Sequence, residues 1–145
     1  MSRVSTYLNF PRSTEAAFMF YKSIFRSEFT SPINRFKDIP AHPDHPPLAE
    51  ADKHLVMHVE LPILGGHVLM GTDAPESMGF TLLPGNNMFI NLEPDTRAET
   101  DRLFKALAAE GKVDMPLQAM FWGGYFGSLT DKFGIHWMLN CTSKT

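Results

Sequence analysis

The sequence predicts an α+β fold. Two observations lead to it. The order strand, helix, strand, loop, strand, strand occurs twice along the 145 residues. Two stretches carry apolar residues at helical spacing, while the remaining apolar runs alternate and are separated by Gly, Pro and Asp clusters. Strands segregated from two helices define the α+β class. Identity between the halves is negligible, so a duplication rests on element order alone.

Arg3 to Asn9 alternates loosely and reads as the first strand, which Pro11 ends. Ser13 or Thr14 offers a capping hydroxyl for a helix reaching about Phe25, with Glu15 favourable in the first turn. Ala17, Phe20, Tyr21 and Ile24 form its expected buried stripe. Glu28 to Arg35 reads as a second strand. Residues 36–53 hold Pro40, Pro43, Pro46 and Pro47, which remove donors and fix φ, so an irregular loop is expected. His42 and His45 lie in that loop, without a helix to align them on a metal, and read as solvated. His54 to Leu61 alternates cleanly, with His54, Val56, His58 and Glu60 on one side and Leu55, Met57, Val59 and Leu61 on the other. Gly65-Gly66 turns the chain into a strand at about His67 to Thr72. Residues 73–86 form the loop between two modules of one domain, about 1–78 and 86–145.

Asn87 to Glu93 opens the second half as a strand. Asn87, Phe89 and Asn91 share one face, and Met88, Ile90 and Leu92 share the other. Thr96 and Glu99 make a T-x-x-E capping box, each side chain serving the other's backbone N–H. Leu103, Phe104, Leu107 and Ala108 give the next helix its apolar face, and Gly111 reads as its C′ residue. Lys112 to Gln118 is a strand interrupted by Pro116, hence an edge or a bulge.

The chain then enters its densest block of aromatics and glycines, FWGGYFGSLTDKFGIHWMLN from Phe121 to Asn140. Asp131-Lys132-Phe133-Gly134 reads as a four-residue turn between strands Tyr125–Thr130 and Ile135–Asn140. With Thr130 opposite Ile135, Gly127 faces Met138. Tyr125, Leu129, His136, Met138 and Asn140 then share a pocket-like face with a glycine-sized gap. Phe126, Ser128, Ile135, Trp137 and Leu139 share the core face. A bulge at Gly134 inverts the assignment.

A hydrophobic fraction of 43% excludes wholesale disorder, and a net charge of −3 argues against nucleic-acid or anionic-membrane partners. The single cysteine, Cys141, excludes an internal disulfide and reads as a small buried hydrophobe. No apolar run approaches the ~20 residues needed to cross a bilayer, and Met1 to Asn9 is too polar and short for a signal peptide. A cytoplasmic protein is expected.

The C-terminal block resembles the signature of the PhnB-like group of the vicinal oxygen chelate superfamily, which also holds glyoxalase I, bleomycin-resistance proteins and extradiol dioxygenases. The matching positions are Phe121, Trp122, Phe126, Gly127, Thr130, Asp131, Phe133, Gly134, Trp137 and Met138. Weaker likeness extends to Glu15-Ala16 with Tyr21, His58, Asp73 and the helix end Ala108 to Lys112. The resemblance implies two βαβββ modules, forming a curled mixed sheet around a pocket with the two helices outside, and a homodimer. Glyoxalase-type members hold a divalent ion with four inward side chains. Carried over by spacing, those positions are Thr6, Met70, Asn87 and Met138, none of which suits a hard or borderline ion. No cofactor or metal is expected there. His54 and His58, about 13 Å apart by strand rise, cannot grip one ion together, although one of them could pair with His67 or His136.

No G-x-S-x-G elbow is present, and Cys141 has no basic cluster beside it. PhnB-like sequences have carried a demethylubiquinone methyltransferase label. Gly65-Gly66 and Gly123-Gly124 lead into strands rather than helix N-termini, so the sequence offers no phosphate-type cradle for a methyl donor. The expectation is a small-molecule binding protein whose pocket is formed by His58, Asn87, Phe89, Trp122, Tyr125 and Met138. His58 and Asn87 are its hydrogen-bonding anchors. The alternatives are a metal-dependent lyase, isomerase or dioxygenase with displaced ligands, and a methyltransferase-like role. Glu60 and Asp73 read as exposed carboxylates and Asp131 as the turn former.

Overall fold

The computed structural model describes residues 1–40, 42–44 and 47–145, so the reading of His45 lies outside the described residues. The chain forms two compact units, Met1–Leu82 and Leu83–Thr145, and the division falls inside the 73–86 loop. Among the described residues no helix is long and apolar enough to cross a membrane.

Unit 1 contains β1 (Thr6–Phe10), α1 (Thr14–Phe25), β2 (Asn34–Arg35), β3 (Val56–Pro62) and β4 (Val68–Asp73), with sheet order β1-β4-β3-β2. Strand β1 runs parallel to β4, and β3 pairs antiparallel with β2 and β4. Unit 2 repeats the plan with β5 (Ile90–Leu92), α2 (Arg97–Ala108), β6 (Lys112–Ala119), β7 (Tyr125–Thr130) and β8 (His136–Cys141), in order β5-β8-β7-β6. Each unit is therefore a βαβββ module with a mixed four-stranded sheet, as expected. Two strands are shorter than their sequence patterns suggest. Only Asn34–Arg35 of the 28–35 run forms a strand, and β5 starts at Ile90, leaving Asn87 in a bend.

In unit 1 the register sorts the side chains. Thr6, Leu8 and Phe10 pair with Leu69, Gly71 and Asp73. This face meets α1: a Cβ on Gly71 would fall 2.5 Å from the Phe18 ring. The buried stripe of α1 is Thr14, Ala17, Phe18, Tyr21 and Ile24, so Phe18 takes the place expected of Phe20. Ser13 makes no side-chain cap. Asp73 does the work from the end of β4, accepting from Thr14 N at 3.0 Å and from Val56 N at 2.8 Å. It is only 2% exposed, which corrects its reading as a surface carboxylate.

In unit 2, Thr96 caps α2 with its Oγ1 accepting from Glu99 N at 3.1 Å, the Thr96 half of the expected box, while the Glu99 carboxylate holds Arg102. The end of α2 differs from expectation. Glu110, not Gly111, takes the positive φ, 60°. Gly111 is needed for space: a Cβ there would lie 2.4 Å from the Thr130 carbonyl oxygen. Strand β6 is an edge with register irregularities between Val113 and Gln118, consistent with Pro116.

The hairpin register is shifted by one residue from expectation. Thr130 pairs with His136, so the connection is residues 131–135. Gly134 has φ +89° and donates to Asp131 O, while Asp131 N donates to Ile135 O. The left-handed glycine adds one residue to the turn and inverts β7 relative to β8. Tyr125, Gly127 and Leu129 consequently join Trp137, Leu139 and Cys141 on the α2 side; Phe126, Ser128 and Thr130 join His136, Met138 and Asn140 on the other. The gap at Gly127 is filled by the helix, since a Cβ there would lie 2.9 Å from the Phe104 ring. Asp131 is buried and fully used, accepting from Phe133 N, Ile135 N and the Trp137 indole Nε1.

Candidate functional site

Each sheet has one face packed on its helix and one helix-free face. In unit 2 that face bears Phe126, Thr130, His136, Met138 and Asn140, with Asn91 level with Met138 across β5 and β8. Phe89 precedes β5 on the side of Asn91, and its ring lies 5.4 Å from the His136 imidazole. Both rings line an open recess of about 560 Å³, together with Asp114, Thr130 and the charged Glu110, Lys112 and Lys132. Thr130 Oγ1 lies 2.9 Å from Asp114 Oδ2 and 2.9 Å from His136 Nδ1, and His136 Nε2 donates to Gly85 O at 2.8 Å. Thr130 has one proton, and with Nε2 donating to Gly85 the neutral His136 ring offers Nδ1 only as an acceptor, so Asp114 and Nδ1 compete for that proton.

The residues expected at the pocket are distributed as follows. Phe89 lines the recess, and Met138 lies on the same helix-free face. Asn87 is exposed in its bend. Trp122 is half-exposed and stacks edge-on with Phe126, whose partner Asn140 is on the Met138 face. Gly124 makes this approach possible, because a Cβ would collide with Trp122 Nε1 and Asn140 Oδ1. Asn140 Oδ1 is buried without a hydrogen-bond partner among the described residues, an acceptor that a donor on a ligand or water would satisfy. Tyr125 departs from expectation. It lies on the α2 side, where its hydroxyl donates to Asp101 at 2.6 Å and Arg97 covers its ring. That hydrogen bond to a carboxylate, with burial, raises the phenol pKa. The one-residue shift in the hairpin is the physical reason for its displacement.

His58 lies in unit 1, on the helix-free face of β3 with Glu60. Its Nδ1 is 3.0 Å from Tyr7 Oη and its Nε2 is 3.6 Å from Glu60 Oε2. Arg3 holds the other Glu60 oxygen at 3.3 Å. Glu60 is thus a partner of His58 rather than a lone surface carboxylate. Tyr7 pairs with Met70 in register, so its side chain extends over the helix-free face toward β3. Burial raises the Tyr7 phenol pKa; a hydrogen bond with Thr72 works against the rise and the charge of Glu60 adds to it. Sequence reading missed Tyr7. The signal was present in the loose alternation of β1, which places Tyr7 and Asn9 on one side and Leu8 and Phe10 on the other.

The carried-over metal positions contain no His, Asp or Glu. Thr6 is on the α1 side, with its Oγ1 2.8 Å from His67 Nε2, while Met70 is on the opposite face. Asn87 is in the bend, and the remaining donor is the Met138 thioether. A hydroxyl, an amide and two thioethers are not donors that suit a hard or borderline divalent ion.

A family model described as 3-demethylubiquinone-9 3-methyltransferase matches residues 2–140. The chain belongs to this family. It is 30% identical to protein YjdN of Escherichia coli (strain K12), over 97% of this chain and 96% of that one. The crystal structure of PA1353 from Pseudomonas aeruginosa superposes with TM-score 0.82 at 33% identity, covering 97% of this chain and 98% of the other. A PhnB protein from Bacillus cereus superposes with TM-score 0.73 at 30% identity, covering 97% and 99%. The fold is shared with a glyoxalase/bleomycin resistance protein/dioxygenase family enzyme from Burkholderia phytofirmans PsJN, with TM-score 0.61 and 20% identity over 95% and 98% of the two chains. The family member is thus PhnB-like, with the vicinal oxygen chelate fold that the C-terminal block resembles.

Proposed function

We propose that this family member is a small-molecule binding protein. The observation that carries the reading is the recess of about 560 Å³ in unit 2, with Phe89 and His136 on one wall and polar Thr130 and Asp114 beside them. Small-molecule sites are usually concave, of roughly 300–1,000 Å³, with aromatic walls and a few polar anchors. A planar ligand packs on Phe89. Met138 follows His136 on the same helix-free face of β8. His58 is a separate anchor on unit 1. Tyr125, bound to Asp101, takes no part.

A thermal-shift screen of planar small molecules tests this. Hits should perturb the NMR signals of Phe89, Thr130 and His136, and Phe89→Ala should weaken them with the unliganded Tm nearly unchanged. Hits that perturb none of these residues, or that bind the variant equally well, count against the site.

We infer further that the protein is a cytoplasmic homodimer without a metal at Thr6, Met70, Asn87 and Met138. Sedimentation and metal analysis of untagged protein address these points. The methyl-transfer role in the family's description is separated by titration with S-adenosylmethionine: saturable stoichiometric binding would favour it over the reading given above.

A further inference from the structure

We propose that Tyr7, His58 and Glu60 form a proton-transfer site for carbon acids on the helix-free face of unit 1. The proposal deepens the small-molecule reading by assigning a reaction class to one face, and it rests on that reading.

The geometry has the order of a catalytic triad. Glu60 Oε2 is 3.6 Å from His58 Nε2, and a carboxylate beside that nitrogen favours the tautomer with the proton on Nε2. Nδ1 is then the acceptor, and the Tyr7 hydroxyl, 3.0 Å away, donates to it. Arg3 holds the other Glu60 oxygen and so fixes the carboxylate. The pairing explains why these residues meet. Tyr7, Met70 and Glu60 lie level across β1, β4 and β3, and His58 is two residues along β3 on the same face. The phenol crosses β4 to reach it. Tyr7 is 47% exposed as a residue, and its hydroxyl proton is directed inward to His58.

A phenol whose proton is already committed to a base removes a proton from a third molecule in a balanced relay. The substrate C–H proton passes to Tyr7 Oη as the Tyr7 proton passes to His58 Nδ1. The electron pair of the broken C–H bond remains on the substrate as an enolate. Glu60 offsets the imidazolium charge, as the third member of such triads does. Reversal with solvent-derived hydrogen gives isotope exchange, racemisation or double-bond migration, and no oxidant or second substrate is required. Carbon acids are the fitting class because O–H and N–H protons exchange with water unaided, whereas protons beside a carbonyl are slow without a positioned base. The Asn9 amide, on the same face of β1 as Tyr7, and the outer nitrogens of Arg3 are the donors available to an enolate oxygen.

The test uses the whole protein in D₂O with pyruvate, hydroxyacetone and cyclohexanone as probes, following loss of the C–H signal by NMR. Acceleration over buffer of at least one probe is expected, with a loss of about 100-fold in Tyr7→Phe and in His58→Gln. A smaller loss with an altered pH profile is expected in Glu60→Gln. Ring ¹⁵N spectra provide a readout independent of any probe: neutral His58 should carry its proton on Nε2, and Tyr7→Phe should move the Nδ1 resonance. No acceleration of any probe, acceleration that survives Tyr7→Phe, or a proton on Nδ1 would each overturn the relay. Thermal-shift hits at Phe89 would survive all three outcomes, so failure of the relay and failure of the binding reading are distinguishable.

Discussion

The two units repeat one element order but use their buried aspartates differently. In unit 1, Asp73 joins distant pieces of chain: the start of α1 and the start of β3 both donate to its carboxylate. In unit 2, Asp131 serves its own turn, with acceptor bonds to residues two, four and six positions onward. The helices follow the same division. Helix α2 is capped by the residue that precedes it, Thr96, whereas α1 borrows its acceptor from β4. The buried aspartate of unit 1 is therefore a long-range tie and that of unit 2 a local one. Long-range ties cost more when cut, because the orphaned groups are enclosed by separate elements and water cannot replace the lost partner.

The largest expected effect follows directly. Asp73→Ala leaves two buried N–H groups unpaired and should destabilise by about 3 kcal/mol. Asp131→Ala orphans one buried donor, the Trp137 indole N–H, and two turn amides that are only partly buried, so it should cost less, about 2 kcal/mol. Denaturant melts of both variants check the order. If Asp131→Ala proves the more damaging, the local tie is the stronger one and the comparison reverses.

The glycines sharpen the contrast between space and backbone conformation. Gly111→Ala should cost about 2 kcal/mol by driving a methyl into the Thr130 carbonyl. Gly134→Ala has open space around it and a φ of +89°, so only about 1 kcal/mol of backbone strain is expected. Equal losses would show that contact and conformation cannot be separated in this way. The helix starts give a smaller effect. Thr96→Ala should cost about 1 kcal/mol, and Ser13→Ala close to nothing, since its hydroxyl caps nothing. Comparable losses from both would place the α1 cap on Ser13 instead of Asp73.

The smallest expected effect is the acid response of unit 1. A hydrogen bond from Arg35 holds the Glu15 pKa below its ordinary value. A hydrogen bond from Ser77, with a further contribution from Arg12, does the same for Asp52. Carboxyls depressed in the folded state contribute stability that is complete above their unfolded pKa values, about 4. That contribution is lost as pH falls through the folded values. Melting temperature should therefore decline on acidification below about pH 4, with a shallower decline in Arg35→Gln. Solvent screens the Glu15–Arg35 pair, so the change is expected to be small. An unchanged acid slope in the variant would remove that pair from the account.

The amino-acid order alone determined the features that depend on neighbours within a turn or two. These include the βαβββ sequence of elements, the Thr96 cap, the edge character of β6, the positive φ of Gly134 and the burial of Trp137. The C-terminal block likewise carried the family. In each case the partners lie close in the chain, so residue type and spacing specify the contact. Tertiary structure alone decided which distant groups meet. The added residue in the 131–135 turn reversed β7, which sent Tyr125 to Asp101 and left Phe126 on the helix-free face. Asp73 found Thr14 across 59 positions, and Tyr7 found His58 across 51. Strand alternation offers two faces and sequence periodicity does not say which is covered, because a single extra residue in a turn exchanges them. The cross-strand neighbours that make Tyr7, His58 and Glu60 a candidate site depend on a register set by packing across the sheet.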